Sequence, residues 1–500
     1  MSAYEKLLEQ IYEIHDINKA MAVLSWDREV SMPTPGNEVR TKQLSTLRKI
    51  SHTKFTSDEM GILIESAAGE LQDADYDSNK ASLIRYLKKS YADARKLPPE
   101  FVTRMVNVAG KALLVWKEAR ANNDYPSFQP WLEQTIELNQ EMAEFYGYED
   151  EPYDALLDKF EAQATTAEVR SLFKSAAEAI VPLREAIEEH GRQVDDSILH
   201  QEFEIGKQKE LARYLAKEVG YDFSRGHLGT ATHPFATSFS RDDVRITTRW
   251  NPDFLNPSLF GTLHESGHAL YEQGTAADLA RTPLARGTSS GIHESQSRMI
   301  ENIVGRSKVF WNAHFHKVQE LFPAQLGNVN VDDFYRAVNK VQPSYIRVEA
   351  DELTYNLHII LRFELEQAML NGELTAAHLP EAWNNRMEEL LGIAPPSDRE
   401  GCLQDIHWST ISFGYFPTYA LGNLYAAQLY KSAVEQDPKI SEDLSKGSVQ
   451  TLLSWLVENV HQHGRKFTPK EIVQRATGKP LGHGDFVAYV SEKFTQVYNL

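Results

Sequence analysis

Apolar residues fall at every third or fourth position along nearly the whole chain, and this spacing commits most of it to amphipathic helices. Val169, Leu172, Ala176, Ile180, Leu183 and Ile187 form one stripe, opened by Thr165 and Glu168 in the positions of a capping box. Asp351 to Leu370 carries a second, with Leu353, Leu357, Ile360 and Leu361 toward the core and Asn371-Gly372 as its stop. Similar patterns cover roughly 1–30, 38–70, 79–122, 128–146, 204–219, 297–320, 331–340, 375–392, 418–435 and 446–463. The expected fold class is mainly α.

The exception is Gly229 to Asn251, where β-branched and aromatic residues cluster in two runs around Arg241-Asp242-Asp243. This composition predicts a β-hairpin. An edge strand placed there could take up an extended peptide by strand addition, or the hairpin could simply cover the core. No internal repeat, low-complexity tract or Gly/Ser linker interrupts the chain, and its Pro-containing stretches are short enough to be loops. Residues 1–500 are therefore expected to form one elongated helical domain, with two lobes as a variant of that arrangement.

At 500 residues and 42% hydrophobic composition the chain can bury a large core. Its net charge of −19, with no block of Lys and Arg, sets aside nucleic acid and anionic lipid as partners. A single cysteine, Cys402, excludes an internal disulfide and fits a reducing compartment, so a cytoplasmic protein is expected. Tyr4, Leu7, Ile11 and Ile14 give the amino terminus the spacing of a folded helix and not that of a signal peptide. No apolar run approaches the roughly 18–20 residues needed to cross a bilayer.

His264-Glu265-Ser266-Gly267-His268 matches H-E-x-x-H. Four residues make slightly more than one helical turn, so both imidazoles leave the same face and can reach one zinc ion. Local signals support a helix here: Asn256-Pro257 as cap and first position, Leu259, Phe260, Leu263 and Leu270 as an apolar side, and Gly274 as the end. With 17 histidines and no more than 71 glutamates, roughly 0.08 such motifs are expected by chance. His264 and His268 are also the only two histidines at i, i+4 spacing.

A catalytic zinc needs a third protein ligand and an open position for water. Position 274 is Gly, and no histidine follows until His293, which excludes the subclass with a third His six residues after the motif. Glu294 is the first candidate. His293 competes with it, and Glu301 is a weaker third.

The chain resembles the thermostable carboxypeptidase Taq family, the M32 metallocarboxypeptidases. The resemblance rests on His233-Pro234-Phe235, Asp243 with Arg245 and Thr247, the H-E-x-x-H motif, and His293-Glu294-Ser295-Gln296. It continues through Ile346-Arg347 with Ala350-Asp351, and through Gly401, Gln404-Asp405 and His407-Trp408; Trp26-Asp27 and Met32-Pro33 also fit. It implies His264, His268 and Glu294 as ligands of one zinc ion per subunit, with cobalt as the alternative. It further implies a nearly all-helical, zincin-type fold around a deep groove with a small sheet beside the metal helix. A homodimer is implied too, as is release of single residues from peptide C-termini with broad preference except near proline.

In such an enzyme Glu265 takes the proton of the attacking water and passes it to the leaving amine. Donors for the developing oxyanion are sought in His407, Tyr415 and Tyr419, with buried core aromatics as the plain alternative for the tyrosines. Arg347 is the first choice to hold a substrate carboxylate, with Arg245 and Arg298 as rivals. Asp351 and Asp405 are candidates to orient ligand histidines or that arginine, and His233 to contact substrate. Two rival functions remain at this point: a zinc oligopeptidase cutting internal bonds on a similar scaffold, and a catalytically silent peptide- or metal-binding protein.

Overall fold

Ser2 and Glu5 close a reciprocal capping box at the start of the first helix, Ala3–Val30: Glu5 N donates to Ser2 Oγ at 3.1 Å and Ser2 N to Glu5 Oε2 at 2.8 Å. The expected stripe buries Leu7, Ile11 and Ile14, which pack with Met60, Ile64, Leu83, Leu87, Leu279 and Leu284. Each such aliphatic side chain contributes about 1.5–3 kcal/mol on burial. The computed structural model describes residues 1–500, which are helical apart from connecting segments and one three-stranded sheet. No helix is long and apolar enough to cross a membrane.

Several expected helices are divided where a cap or a proline intervenes. The 38–70 stretch is two helices, Asn37–Phe55 and Asp58–Glu70, because extended Ser57 accepts from Met60 N and starts a new helix. The 79–122 stretch stops at Lys96 and resumes at Pro99, since Pro98-Pro99 removes two backbone donors. The 446–463 stretch is helical over Gln450–Asn459 with a 3-10 turn at His461–His463, and Gly447 at φ 83° parts it from a preceding helix, Lys439–Ser445. The 297–320 stretch belongs to a helix that already starts at Ser290, passes through a π-helical segment Met299–Val304, and is followed by a separate helix Lys308–Leu321. Two late helices, Pro469–Thr477 and Gly484–Tyr498, lie outside the periodic stretches.

The sheet contains β1 (Gly226–Thr230), β2 (Ala236–Ser240) and β3 (Asp243–Thr248) in the order β1-β3-β2. β2 and β3 form the expected antiparallel hairpin, while β1 adds in parallel to the other edge of β3. β1 is invisible to a propensity reading because Gly226, His227 and Gly229 carry no strand signal. Val244 and Ile246 on β3 are buried against Ala216, Tyr221 and Ala269, and the Tyr221 hydroxyl donates to Val244 O at 2.6 Å. Ala269 lies on the helix Asn256–Gly274, so the sheet rests directly on the helix that carries the H-E-x-x-H motif. The N-cap position of that helix is Leu255, which makes no side-chain cap, one residue before the Asn256 cap expected from the sequence.

The chain forms two compact units, each assembled from three separate segments. One comprises Met1–Arg95, Asp196–Val338 and Leu429–Pro480, and it holds the sheet and the motif helix. The other comprises Lys96–Asp195, Asn339–Gln428 and Leu481–Leu500. Its central helix, Tyr355–Leu370, is buried at nearly every position and ends at Asn371, with Gly372 at φ 75°. The helix Thr166–His190 opens on the expected Thr165–Glu168 capping box.

Candidate metal centre

The motif helix and the helix Ser290–Arg298 meet at Gly267, where backbone touches backbone. A Cβ at Gly267 would lie 2.4 Å from Gln296 O and 2.5 Å from Ser297 Cα, so only glycine permits this approach. The close approach brings Glu294 within reach of His264 and His268. Glu294 Oε2 lies 3.3 Å from His268 Nε2 and 3.7 Å from His264 Nε2, and the three ligand atoms all fall within 4.8 Å of one another.

These separations fit a divalent ion. With metal–ligand bonds of about 2.0–2.2 Å, the edges of a tetrahedral site are about 3.3–3.6 Å long, close to the two separations from Glu294. The outer nitrogens are occupied, which leaves both Nε2 atoms facing the shared point. His264 Nδ1 is 2.8 Å from Glu301 Oε2, and His268 Nδ1 is 2.6 Å from His293 Nδ1. His293 Nε2 in turn lies 2.9 Å from Glu272 Oε1. With metal on Nε2, His268 Nδ1–H would donate to His293 Nδ1, and His293 Nε2–H to the Glu272 carboxylate, a tautomer sequence in which every donor meets an acceptor.

His293 is thus turned to the far side of His268 and Glu301 to the far side of His264, positions that suit orientation of the ligands and not ligation at the shared point. Burial pushes the Glu272 carboxyl up, but its hydrogen bond and charge contact with His293 outweigh this and hold it down at about 2. The same contest at Glu301 is won by His264 and Arg298, also at about 2. Arg298, a rival for substrate binding, instead donates from Nε to Glu294 Oε1 at 2.7 Å. Burial opposes ionisation of Glu294, yet Arg298 and the two histidines hold its carboxyl well below the ordinary range.

Glu265 is 5% exposed and accepts no comparable set of donors. Burial, reinforced by Glu294 and Glu301 and opposed by His268, pushes its carboxyl up to about 7. A carboxylate poised there can accept a proton and return it near neutral pH. Sequence reasoning missed Glu272. Its one signal is its place four residues after His268, on the same helical face.

Elsewhere in the same unit, Arg245 on β3 binds Asp243 through Nε and Nη2, both at 2.8 Å, and its guanidinium lies 4.9 Å from the Trp26 ring and 4.8 Å from the Phe239 ring. That arrangement braces the sheet. His233 is exposed on the loop between β1 and β2.

The remaining candidates cluster in the other unit. Arg347 is buried and donates from Nε and Nη2 to Asp405 Oδ1 at 3.1 and 2.8 Å, and from Nη1 to the Tyr355 hydroxyl at 3.2 Å. Asp405 also takes Arg362 Nε at 2.6 Å, so this carboxylate orients two arginines. Asp351 orients neither a histidine nor an arginine; it accepts from Leu353 N and Thr354 N, both at 2.9 Å, and caps the turn entering Tyr355–Leu370. His407 stacks on Tyr415 with ring centroids 5.5 Å apart, and Tyr415 meets Tyr419 edge-on at 5.2 Å. Burial pulls the His407 imidazole down to about 4, which keeps it neutral and able to donate from one nitrogen.

A family model described as carboxypeptidase Taq (M32) metallopeptidase matches residues 6–494. The chain is 41% identical over 498 residues to carboxypeptidase 1 of Bacillus subtilis, covering 99% of each. It is 39% identical over 509 residues to thermostable carboxypeptidase 1 of Thermus thermophilus, again covering 99% of each. The crystal structure of the M32 carboxypeptidase from Deinococcus radiodurans R1 matches with a TM-score of 0.96 at 38% identity over 100% of both chains.

Proposed function

The chain belongs to the carboxypeptidase Taq (M32) family of metallopeptidases, and we propose that it removes single residues from peptide C-termini through one zinc ion held by His264, His268 and Glu294. It is a metallocarboxypeptidase, and this family assignment favours terminal cleavage over the internal cleavage of an oligopeptidase. The observation that supports the site assignment is the convergence of two histidine nitrogens and one Glu294 carboxylate oxygen within 4.8 Å of one another, with the carboxylate 3.3 and 3.7 Å from the two Nε2 atoms. Cobalt is the alternative occupant. A bound divalent ion supplies a Lewis acid and brings the pKa of water toward about 7.

Glu265 is proposed to take the proton from the attacking water and deliver it to the departing amine. His407, Tyr415 and Tyr419 are proposed as donors to the developing oxyanion, and Arg347, His233 and Arg245 as substrate contacts. Residues 1–500 are read as one catalytic domain, a reading supported by a family match that runs through both compact units. A homodimer in the cytoplasm is proposed from the family resemblance and from the lone, buried Cys402.

Mass spectrometry of peptide digests tests this reading. Free-acid peptides should shorten one residue at a time from the C-terminus, amidated ones should persist, and a chelator should stop the reaction. A Glu265→Gln variant should bind metal normally and lose about 10²- to 10⁴-fold in kcat. Cleavage of amidated peptides at undiminished rate, or full activity in Glu265→Gln, would overturn the proposal.

A further inference from the structure

The last segment of the unit that holds the motif helix, Leu429–Pro480, sets one histidine against both helices that carry His264, His268 and Glu294. His461 opens a 3-10 turn, His461–His463, and is 1% exposed. Backbone contacts fix this turn. Gly464, at φ 49°, packs so closely on the loop between the two helices that a Cβ would stand 2.1 Å from Leu284 O, and Arg465 N donates to the same carbonyl at 3.0 Å. The imidazole then meets the end of the motif helix: a Cβ at Gly274 would stand 2.7 Å from His461 Cβ and from its Nδ1. Gly274 thus leaves the room that His461 fills.

The same ring reaches the second helix. His461 Nε2 lies 2.8 Å from Gln296 Oε1, two residues past Glu294. Its neighbours fix the direction of this hydrogen bond. Gln296 Nε2 donates to Ser295 Oγ at 2.9 Å and Ser295 Oγ to Ile292 O at 2.6 Å, so Gln296 Oε1 accepts and His461 Nε2 carries the proton. Burial pulls the imidazole down to about 3, which keeps it neutral, and Nδ1 has no hydrogen-bond partner. The ring also lies on Tyr271 of the motif helix, with centroids 5.1 Å apart, and Tyr271 lies on His293 at 5.3 Å.

The backbone contact of Gly267 with Gln296 and Ser297 is a single point, about which two helices can still rotate. Gly274 is two helical turns further on, about 10 Å along the axis. A tie from there to Gln296 stops the rotation. We infer that His461 is a positioning residue for the metal, which clamps the motif helix at Gly274 and Tyr271 to the Glu294 helix at Gln296 and so fixes the spacing at which His264, His268 and Glu294 converge. This rests on the metal-centre reading. A coordination site tolerates only about 0.2 Å of error in its bond lengths, so a small rotation is felt as lost affinity.

Zinc affinity, read by competition with a chromogenic chelator, and the visible d–d spectrum of the cobalt-loaded protein test the inference. His461→Phe keeps a ring against Tyr271 but loses the donor. It should weaken zinc binding about 10- to 100-fold and alter the cobalt spectrum. His461→Gln, which returns an N–H near the position of Nε2, should recover most of both. A histidine that serves stability alone would lower the thermal midpoint in these variants while the folded protein kept wild-type affinity and spectrum, and that result would overturn the inference. Gln296→Met removes the acceptor from the opposite helix, so it decides the matter even if His461→Phe does not fold. It should reproduce the loss, and the double variant should lose no more than either single one; losses that multiply would mean that the two side chains act separately and would also reject the clamp. Wild-type protein that takes up no zinc would fell the metal-centre reading and the inference with it, whereas tight wild-type binding beside an unaffected Gln296→Met rejects the inference alone.

Discussion

At the scale of single residues, the metal centre divides into groups that touch the shared point and groups that turn those groups toward it. Glu272 belongs to the second kind, since it reaches His268 only through His293. Glu272→Gln keeps an acceptor for His293 but removes the charge that fixes its tautomer. Metal affinity, read by competition with a chromogenic chelator, should fall about 10- to 100-fold. An unchanged affinity would reduce the Glu272–His293 contact to packing. The sequence reveals the two histidines because their relation is local, one helical turn, whereas Glu272 looks like any acidic residue on a helix. Arg298 is ambiguous in the sequence for the opposite reason. An arginine four residues after a glutamate is equally placed to hold that glutamate or a substrate, and only the observed 2.7 Å contact with Glu294 decides.

At the scale of elements, the contact between two helices depends on a missing methyl. Gly267→Ala would drive a Cβ into the backbone of Gln296 and Ser297, and overpacking of this kind costs about 1–3 kcal/mol. The thermal midpoint and the metal affinity should fall together, because the helix that must retreat carries Glu294; a variant normal in both would refute the role given to this contact. In the other unit, Glu366 on Tyr355–Leu370 ties down the segment that bears His407 and Tyr415. It accepts from the Tyr153 hydroxyl at 2.6 Å, Trp408 Nε1 at 2.9 Å and Gly414 N at 3.1 Å. Burial outweighs these hydrogen bonds and raises its carboxyl from 4.5 to about 7. The folded protein therefore keeps a proton that the unfolded chain releases, and stability is lost as pH rises through that interval, by about 3 kcal/mol at most. Urea unfolding of wild type and Glu366→Gln should show the difference moving in favour of the variant between pH 5 and pH 8. A gap independent of pH would mean that Glu366 is ionised throughout. Periodicity foretells the helix but not this anchor, whose partners lie 42 and 213 residues away along the chain.

At the scale of the whole molecule, a resident ion should stabilise the fold, since binding to the native state alone adds RT ln(1 + [L]/Kd), or about 2.7 kcal/mol at a hundredfold excess over Kd. Chelation should lower the thermal midpoint by several degrees, and stoichiometric zinc should restore it; an unchanged midpoint would argue against a bound ion. The mainly helical class is legible in the sequence because helical spacing repeats every few residues. The braiding of the chain is not legible, because no local pattern records that residues 1–95, 196–338 and 429–480 share one unit. That braiding bears on how the protein is made. The ribosome delivers the first 95 residues of the metal-bearing unit early and its final stretch only near residue 480, a wait of about 20–80 s at 5–20 residues per second. Throughout that interval the nascent helices present uncovered apolar flanks, so the chain is a natural client for chaperones during translation, and this unit closes only once residues 429–480 have emerged.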